Sequence, residues 1–162
     1  MGGLPTGTVT FLLTDIEDSS RLWDDHPLKM RVALEQHDAL LGAAIEVNGG
    51  YVFTTAGDSF AAAFQTAESA AQAALDIQAA VGGAEWDPVV AIRVRIGLHT
   101  GEAHERGGDY FGPAVNRAAR VESAGHGGQT LLSGVTARVL AGSTRTEWDV
   151  VDLGHHPLKG LS

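Results

Sequence analysis

The chain has 162 residues, with 20 acidic and 11 basic side chains, a net charge of −9 and no cysteine. This length suits one domain built around one core. The acidic balance argues against a broad contact with nucleic-acid phosphates, and the lack of cysteine excludes disulfides, thiolate zinc sites and thiol nucleophiles. No apolar run approaches the roughly 20 residues needed to span a bilayer, and no signal peptide opens the chain. We therefore expect a cytoplasmic domain that binds no nucleic acid and carries no membrane segment.

Short apolar runs rich in β-branched and aromatic residues predict strands, and apolar residues at spacings of three and four predict helices. The chain opens with a Gly-rich segment, residues 1–7, which reads as a linker. In chain order, the predicted elements begin with a strand over 7–14 that ends at Asp15, a helix with Asp18 or Ser19 as its N-cap, and a helix over 28–47. Pro27 either breaks the first of these helices or opens the second. The elements that follow are strands over 51–55 and 59–64, a helix over 66–81, a strand over 89–100, a polar Gly-rich loop or turn over 105–112, a helix over 113–123, a brief strand over 130–133, a helical turn or two over 134–140 and a final strand over 147–154.

The order of these elements indicates the fold class. The first six read β-α-β-β-α-β, which is typical of the ferredoxin-like split βαβ arrangement. We therefore predict an α+β fold with a ferredoxin-like split βαβ (βαββαβ) core and a small C-terminal α/β extension. In the strand over 89–100, alternation places Ile92, Val94, Ile96 and Leu98 inward and turns Arg93 and Arg95 to the other face.

Two carboxylates lie at the ends of predicted strands. Asp15 ends the first strand, and Asp58 lies in the turn of the central hairpin. Because the first strand of a split βαβ fold commonly lies beside the hairpin, the pair would form a hard-oxygen site suited to Mg²⁺ or Mn²⁺. The chain after Asp15 enters a helix, where backbone N–H groups near Ser19 and Ser20 would receive phosphate oxygens. The alternative interpretation makes Asp15 a helix cap and Asp58 an ordinary turn residue.

A second pair of polar residues shares one helix face. Asn116 and Arg120 are four positions apart in the helix predicted over 113–123. An amide and a guanidinium projecting together can orient a sugar oxygen and neutralise phosphate charge. Taken alone, such a pair is more typical of a solvated helix face.

Taken together, the motifs resemble the catalytic domain of the class III nucleotide cyclases, the adenylate/guanylate cyclase family, in its bacterial and actinobacterial form. VTFLLTDIEDSS resembles the first metal motif of that family, TTAGDSF the second, and DYFGPAVNRAARVESAG its transition-state helix. GLHTGEA resembles the strand between the second metal motif and that helix. LGHHPLKGL resembles the closing segment. The resemblance covers nearly the whole chain, and it implies that residues 8–162 form the catalytic domain.

The resemblance implies an adenylate cyclase, in which the ribose 3′-hydroxyl of ATP attacks the α-phosphate to give 3′,5′-cyclic AMP and pyrophosphate. It implies two divalent metal ions, Mg²⁺ or Mn²⁺, as cofactors. The residues to which it gives a role are Asp15, Asp58 and the Ile16 carbonyl as metal ligands, Asn116 on the ribose, Arg120 on the phosphates, Ser19 and Ser20 near the phosphates, Lys159 on the triphosphate, and Thr54 and Asp109 at the base.

The resemblance also implies an antiparallel homodimer. One subunit would supply the metal carboxylates of each site, and the other would supply the base pocket, Asn116 and Arg120. Regulatory or DNA-binding domains are often joined to such catalytic domains, so the full-length protein is expected to carry them.

Base choice is where the chain departs from its relatives. Asp109 would accept a hydrogen bond from the adenine amino group, but Thr54 stands where adenylate cyclases carry Lys and guanylate cyclases carry Glu. ATP is therefore the expected substrate. The alternatives are a weakly active or regulatory cyclase-like domain that binds nucleotide, or a guanylate cyclase with relaxed base choice. A smaller departure is Asp18, which replaces a Gly that relatives often have.

Overall fold

The structure is a computed structural model, and it describes residues 4–143. The strands are β1 (Thr8–Ile16), β2 (Tyr51–Ala56), β3 (Ser59–Phe64), β4 (Val94–Glu102), β5 (Glu105–Arg106), β6 (Asp109–Tyr110) and β7 (Thr130–Leu132). The helices are α1 (Ser19–Asp25), α2 (Pro27–Val47), α3 (Ala67–Gly83), α4 (Pro113–Ser123) and α5 (Gly134–Ala141). Within this part of the chain, no helix is both long and apolar enough to cross a bilayer.

The main sheet has five strands in the order β2-β3-β1-β4-β7. β1 lies in the middle and pairs antiparallel with both β3 and β4, β2 pairs antiparallel with β3, and β7 pairs parallel with β4. The first four strands thus follow the split βαβ order, in which the hairpin lies against one side of β1 and the strand after α3 against the other. The predicted α+β fold, with its ferredoxin-like core and C-terminal α/β extension, is confirmed.

Each face of the sheet buries its own cluster, because successive side chains of a strand point to opposite faces. Leu12 and Ile16 of β1 join a large core with the apolar sides of α2 and α3. Val9 and Phe11 point to the opposite face of the sheet. There they pack with Tyr110 of β6 and Ala118 of α4. The four inward positions predicted from alternation, Ile92, Val94, Ile96 and Leu98, are all buried.

Two predicted boundaries are wrong, and one predicted loop or turn contains a hairpin. β1 continues past Asp15, where it was predicted to end, to Ile16, because both residues pair with β4. β4 begins at Val94 instead of residue 89, since Pro88–Val90 forms a 3-10 turn whose N-cap, Asp87, accepts a hydrogen bond from the Val89 N–H. The segment predicted as a loop over 105–112 contains the β5–β6 hairpin, which turns through two glycines of positive φ.

Other expectations hold or lie outside the described residues. Pro27 opens α2 at its first position, where its missing N–H has no helical partner in any case. Thr66 caps α3 by accepting a hydrogen bond from the Ser69 N–H. The strand predicted over 147–154 and Lys159 both fall beyond residue 143, so they stay predictions.

Candidate active site

The two predicted metal carboxylates lie side by side at one rim of the sheet. Asp15 is the next-to-last residue of β1, and Asp58 lies in the two-residue turn between β2 and β3. The Ile16 N–H donates a hydrogen bond to Oδ2 of Asp58 at 3.3 Å. This hydrogen bond joins the turn of the hairpin to the end of β1. It places the Asp58 carboxylate next to Ile16, the residue that follows Asp15.

Asp15 forms an ion pair with an arginine of the same chain. Arg95 is its register partner on β4, and the guanidinium grips both carboxylate oxygens: Nε lies 2.7 Å from Oδ1, and Nη2 donates to Oδ2. The hydrogen bond to Asp15 raises the pKa of Arg95 above its ordinary value. Alternation predicts that Arg95 points away from the inward residues of its strand. It does not predict that Asp15, 80 residues earlier in the sequence, is the partner of Arg95.

A third acidic group lies on α4 at this place. Glu122 is only 7% exposed, and its Oε1 lies 3.7 Å from Nε of Arg95. That oxygen has no hydrogen-bond partner among the described residues. Burial, followed by the neighbouring Asp15 carboxyl, raises the pKa of Glu122 to about 8, so this side chain is largely protonated at neutral pH. Glu122 is not among the site residues predicted from the sequence.

The close approach of α4 to the sheet depends on two glycines of β4. A Cβ at Gly97 would lie 2.4 Å from the backbone N of Glu122, and a Cβ at Gly101 would lie 2.9 Å from Cβ of Ala114. Because the two glycines are four residues apart in a strand, they open the same face. The G-x-x-x-G spacing inside GLHTG is a sequence signal for such backbone contact, and it explains how Glu122 reaches Arg95.

Asn116 and Arg120 lie on α4 as predicted, on a part of the helix that is open to solvent. Asn116 is exposed and Arg120 is half-buried. Within residues 4–143, neither side chain makes a hydrogen bond or an ion pair, and so neither binds Asp15 or Asp58. The structure of one chain therefore brings the two carboxylates together but leaves the amide and the guanidinium unengaged.

The two candidate base-recognition residues lie on neighbouring elements. Thr54 is an exposed residue of β2, next to an irregularity in its pairing with β3. Asp109 is an exposed residue of β6, and its Oδ1 accepts a hydrogen bond from the Tyr110 N–H at 2.9 Å. β6 is fixed to β2 because the Tyr51 hydroxyl donates to the Gly108 carbonyl at 2.7 Å and the rings of Phe53 and Tyr110 pack 5.0 Å apart.

The segment predicted to bind phosphate leads into a short helix, α1. α1 does begin at Ser19, but Asp18 at the N-cap position makes no side-chain cap, so a capping role for that side chain is wrong. Asp18 instead contacts Arg21 at 3.4 Å. Its φ of 59° is the one positive value at a non-glycine residue in the described part of the chain. A left-handed backbone at this position accounts for the Gly that relatives often carry there. Ser20 is exposed and Ser19 half-buried.

The donor set at the rim fits a hard divalent cation. Asp15 and Asp58 offer carboxylate oxygens of the kind that Mg²⁺ and Mn²⁺ prefer, and the ion pair with Arg95 shows that this place holds positive charge. Among residues 4–143, no three His, Cys, Asp or Glu side chains gather into a complete metal cage. The remaining ligands would therefore be a backbone carbonyl, waters and oxygens of the substrate, as is usual for Mg²⁺.

Comparison with known sequences places the chain in a family. The sequence profile described as Adenylate and Guanylate cyclase catalytic domain matches residues 4–162. An uncharacterised protein of Mycobacterium tuberculosis is 45% identical over 159 residues, which cover 97% of this chain and 53% of that protein. A receptor-type adenylate cyclase of Trypanosoma congolense is 33% identical over 198 residues, covering 96% of this chain and 27% of that protein. The chain thus spans about half the length, or less, of these curated relatives.

Solved structures agree with the sequence comparison. Adenylate cyclases from Trypanosoma brucei, described in their monomeric state, match with a TM-score of 0.89 at 31% identity, over 99% of this chain and 88% of theirs. An adenylate/guanylate cyclase/hydrolase from Silicibacter pomeroyi matches with a TM-score of 0.85 at 30% identity, over 96% of this chain and 91% of its own. The chain belongs to the adenylate and guanylate cyclase family, and it matches the catalytic domain of that family.

Proposed function

We propose that this domain converts ATP to 3′,5′-cyclic AMP and pyrophosphate. The observation that carries the proposal is the contact between the Ile16 N–H and Asp58, which brings two carboxylates to one rim of the sheet. In the reaction, the ribose 3′-oxygen loses its proton and forms a bond to the α-phosphorus. The bond from that phosphorus to the bridging oxygen breaks, and pyrophosphate leaves with the electron pair.

Each acidic or polar residue has a defined task in this proposal. Asp15 and Asp58, with the Ile16 carbonyl, would hold two divalent ions, which supply Lewis-acid charge next to the 3′-oxygen and the phosphates. Asn116 would bind the ribose through its amide. Arg120 would donate to phosphate oxygens as their charge grows, which is an electrostatic contribution that often dominates such catalysis. Two further contacts to the phosphates, from the Ser19–Ser20 turn and Lys159, stay predictions.

We infer ATP as the substrate from the chemistry of Asp109 and Thr54. A carboxylate accepts hydrogen bonds, so Asp109 suits the amino group of adenine and repels the carbonyl oxygen of guanine. The Thr54 hydroxyl is exposed and can both donate and accept, although it is much shorter than Lys. This hydroxyl favours a second candidate function, a guanylate cyclase with relaxed base choice. Comparing the rates of cyclic nucleotide formation with ATP and with GTP distinguishes the two functions.

We further propose that the active unit is an antiparallel homodimer with two equivalent sites. The unengaged side chains of Asn116 and Arg120 support this, because neither binds the carboxylates of its own chain. In a dimer, each pair would face the carboxylates of the partner subunit. The curated relatives are longer than this chain, which supports attached regulatory or DNA-binding domains in the full-length protein.

The direct test is formation of cyclic nucleotide by the purified domain with Mn²⁺ and either ATP or GTP. We expect cyclic AMP from ATP, at a specific activity that rises with protein concentration as dimers form. Asp58→Asn should abolish the product because it removes one of the two metal carboxylates, whereas Asp76→Asn, on α3, should leave activity unchanged. Retained activity in Asp58→Asn would contradict the assignment of the metal site, and a faster reaction with GTP would contradict the base assignment.

A further inference from the structure

Tyr51 joins the two elements that carry the candidate base-recognition residues. It lies on β2, in the same strand as Thr54, and its hydroxyl donates a hydrogen bond to the Gly108 carbonyl at 2.7 Å. Gly108 directly precedes Asp109, the first residue of β6. We propose that Tyr51 is a positioning residue that sets the selectivity of the domain for ATP over GTP, because it holds Asp109 at a fixed place relative to Thr54. This inference deepens the proposed function and rests on it, since it takes Asp109 and Thr54 to contact the base.

A β-bulge turns Thr54 toward the face of the sheet that carries the β5–β6 hairpin. The register of β2 against β3 shifts at Phe53, which is the extra residue of the bulge. Thr54 therefore pairs with Ala61 and points to the same face as Ala61 does. Ala63, two residues further along β3, lies on that face and packs with Tyr110 of the hairpin. Without the extra residue, Thr54 would point to the opposite face, away from the hairpin.

The β5–β6 hairpin depends on the main sheet for its position. Its strands have two residues each, and a hairpin of this size is at best marginally stable by itself. The end away from the turn is held by Tyr110, whose ring packs 5.0 Å from the ring of Phe53. In the part of the chain that the structure describes, the bond from Tyr51 to Gly108 is the one hydrogen bond between the turn glycines and the main sheet. Removing the Tyr51 hydroxyl therefore frees the turn, while the ring contacts of the hairpin remain.

Discrimination between the two bases depends on Asp109. The Thr54 hydroxyl both donates and accepts hydrogen bonds, so it accommodates either base. The Asp109 carboxylate only accepts, so it attracts the adenine amino group and repels the guanine carbonyl oxygen. Its Oδ1 accepts the Tyr110 N–H at 2.9 Å, which leaves Oδ2 without a hydrogen-bond partner among residues 4–143. Because hydrogen bonds weaken steeply away from their preferred geometry, a displacement of β6 from the base weakens both the attraction and the repulsion.

The test compares kcat/KM for ATP and for GTP, measured on the full chain with Mn²⁺. A variant that folds less well loses activity with both nucleotides alike, so the ratio of the two values reports the base site and not the amount of folded protein. In Tyr51→Phe, the preference for ATP should fall by about two- to tenfold, which corresponds to the loss of one hydrogen bond. Tyr110→Phe is the matched control. It removes a hydroxyl that donates to the Pro5 carbonyl at 2.6 Å, so the ratio should stay as it is in the wild-type chain.

A double variant tests whether the effect of Tyr51 acts through Asp109. In an Asp109→Asn chain, the carboxylate that discriminates is replaced by an amide that both donates and accepts. Tyr51→Phe should then leave the ratio unchanged, because no discriminating group is left to position. An equal fall of the ratio with and without the Asp109 carboxylate overturns the positioning role, and so does an equal fall in Tyr51→Phe and Tyr110→Phe.

The same measurements separate this inference from the proposed function. If the wild-type chain favours ATP and Tyr51→Phe keeps the wild-type ratio, the inference alone fails. If the wild-type chain forms no cyclic nucleotide, or reacts faster with GTP, the proposed function fails and the inference fails with it.

A second pair of variants covers the case in which Tyr51→Phe does not fold. A Cβ at Gly108 would lie 2.9 Å from the Tyr51 hydroxyl oxygen, whereas a Cβ at Gly107 would meet nothing within 4 Å. Both glycines have a positive φ, 84° at Gly108 and 61° at Gly107, so alanine brings backbone strain at either position. Gly108→Ala should lower the preference for ATP below that of Gly107→Ala, because only Gly108→Ala displaces the hydroxyl. An equal ratio in these two variants would overturn the proposal.

Discussion

At the scale of single residues, His99 shows how burial couples protonation to stability. Its side chain is 5% exposed, and Nδ1 lies 2.7 Å from the Ser133 hydroxyl. Burial, together with the charge of Arg117, lowers the pKa of His99 below its model-compound value of 6.5. As the pH falls below about 6.5, the unfolded chain therefore takes up this proton before the folded chain does, and the folded state loses stability.

We predict that His99→Gln makes the free energy of unfolding less sensitive to pH between 7 and 5. The measurement is urea unfolding at several pH values. His104→Gln, which changes an exposed histidine, serves as the comparison and should leave the pH dependence nearly as it is. A slope that is the same in His99→Gln as in the wild-type chain would show that this group does not carry the predicted linkage.

Asp18 gives a second prediction at the residue scale. Its φ of 59° lies in the left-handed region, which costs roughly 1–2 kcal/mol for a residue with a Cβ and little for Gly. Asp18→Ala should therefore be less stable than Asp18→Gly by about 1 kcal/mol in urea unfolding. At Asp24, inside α1, the order should reverse because Ala is the better helix former. If Ala is preferred over Gly at both positions, the left-handed backbone at Asp18 is wrong.

At the scale of elements, the packing of α4 on β4 decides where the site's acidic groups lie. Gly97→Ala would place a methyl group 2.4 Å from the Glu122 backbone N, and backbone cannot move as easily as a side chain. We expect a loss of about 1–3 kcal/mol in the free energy of unfolding, which is typical of overpacking. Gly42→Ala on α2 meets nothing within 4 Å and should instead stabilise the chain by about 0.5–1 kcal/mol. Equal effects of the two substitutions would contradict the close contact.

The elements also show how far the sequence predicts this fold. The run of β-branched and aromatic residues in β1, the alternation in β4 and the helical spacing in α2 and α3 follow from local physics, so these elements were predicted. The β5–β6 hairpin was missed because Glu105–Tyr110 has little apolar alternation. It is held by the ring contact of Tyr110 with Phe53 and by the hydrogen bond from Tyr51 to Gly108, partners that are distant in sequence.

The same reasoning applies to the candidate site. Asp15 and Asp58 were predicted to lie together because the strand order of the fold implies it, and the bond from Ile16 to Asp58 agrees. Arg95 and Glu122 were not predicted as site residues. The contact of Arg95 with Asp15 depends on the register of β1 against β4, and the approach of Glu122 to Arg95 depends on the depth at which α4 lies on the sheet. Register and packing depth depend on contacts across the whole sheet, so no local sequence motif predicts them.

At the scale of the whole molecule, the central claim is that each active site combines carboxylates of one subunit with α4 of the other. A chain with Asp58→Asn lacks one of the proposed metal carboxylates, and a chain with Arg120→Ala lacks the guanidinium proposed to bind the phosphates. A heterodimer of the two would hold one site with both defects and one intact site. Random exchange of subunits at equal amounts makes half of the dimers mixed, and so restores about one quarter of the wild-type activity per subunit.

The most direct measurement is therefore cyclic AMP formation by each variant alone and by their equimolar mixture, with Mn²⁺ and ATP. The account predicts negligible product from either variant alone and about a quarter of the wild-type rate from the mixture after subunit exchange. A mixture of Asp58→Asn with Asp15→Asn should stay inactive, because no combination of those chains completes a metal site. A mixture of Asp58→Asn and Arg120→Ala that produces no more than its components, while the wild-type domain is active, would contradict a site shared between subunits.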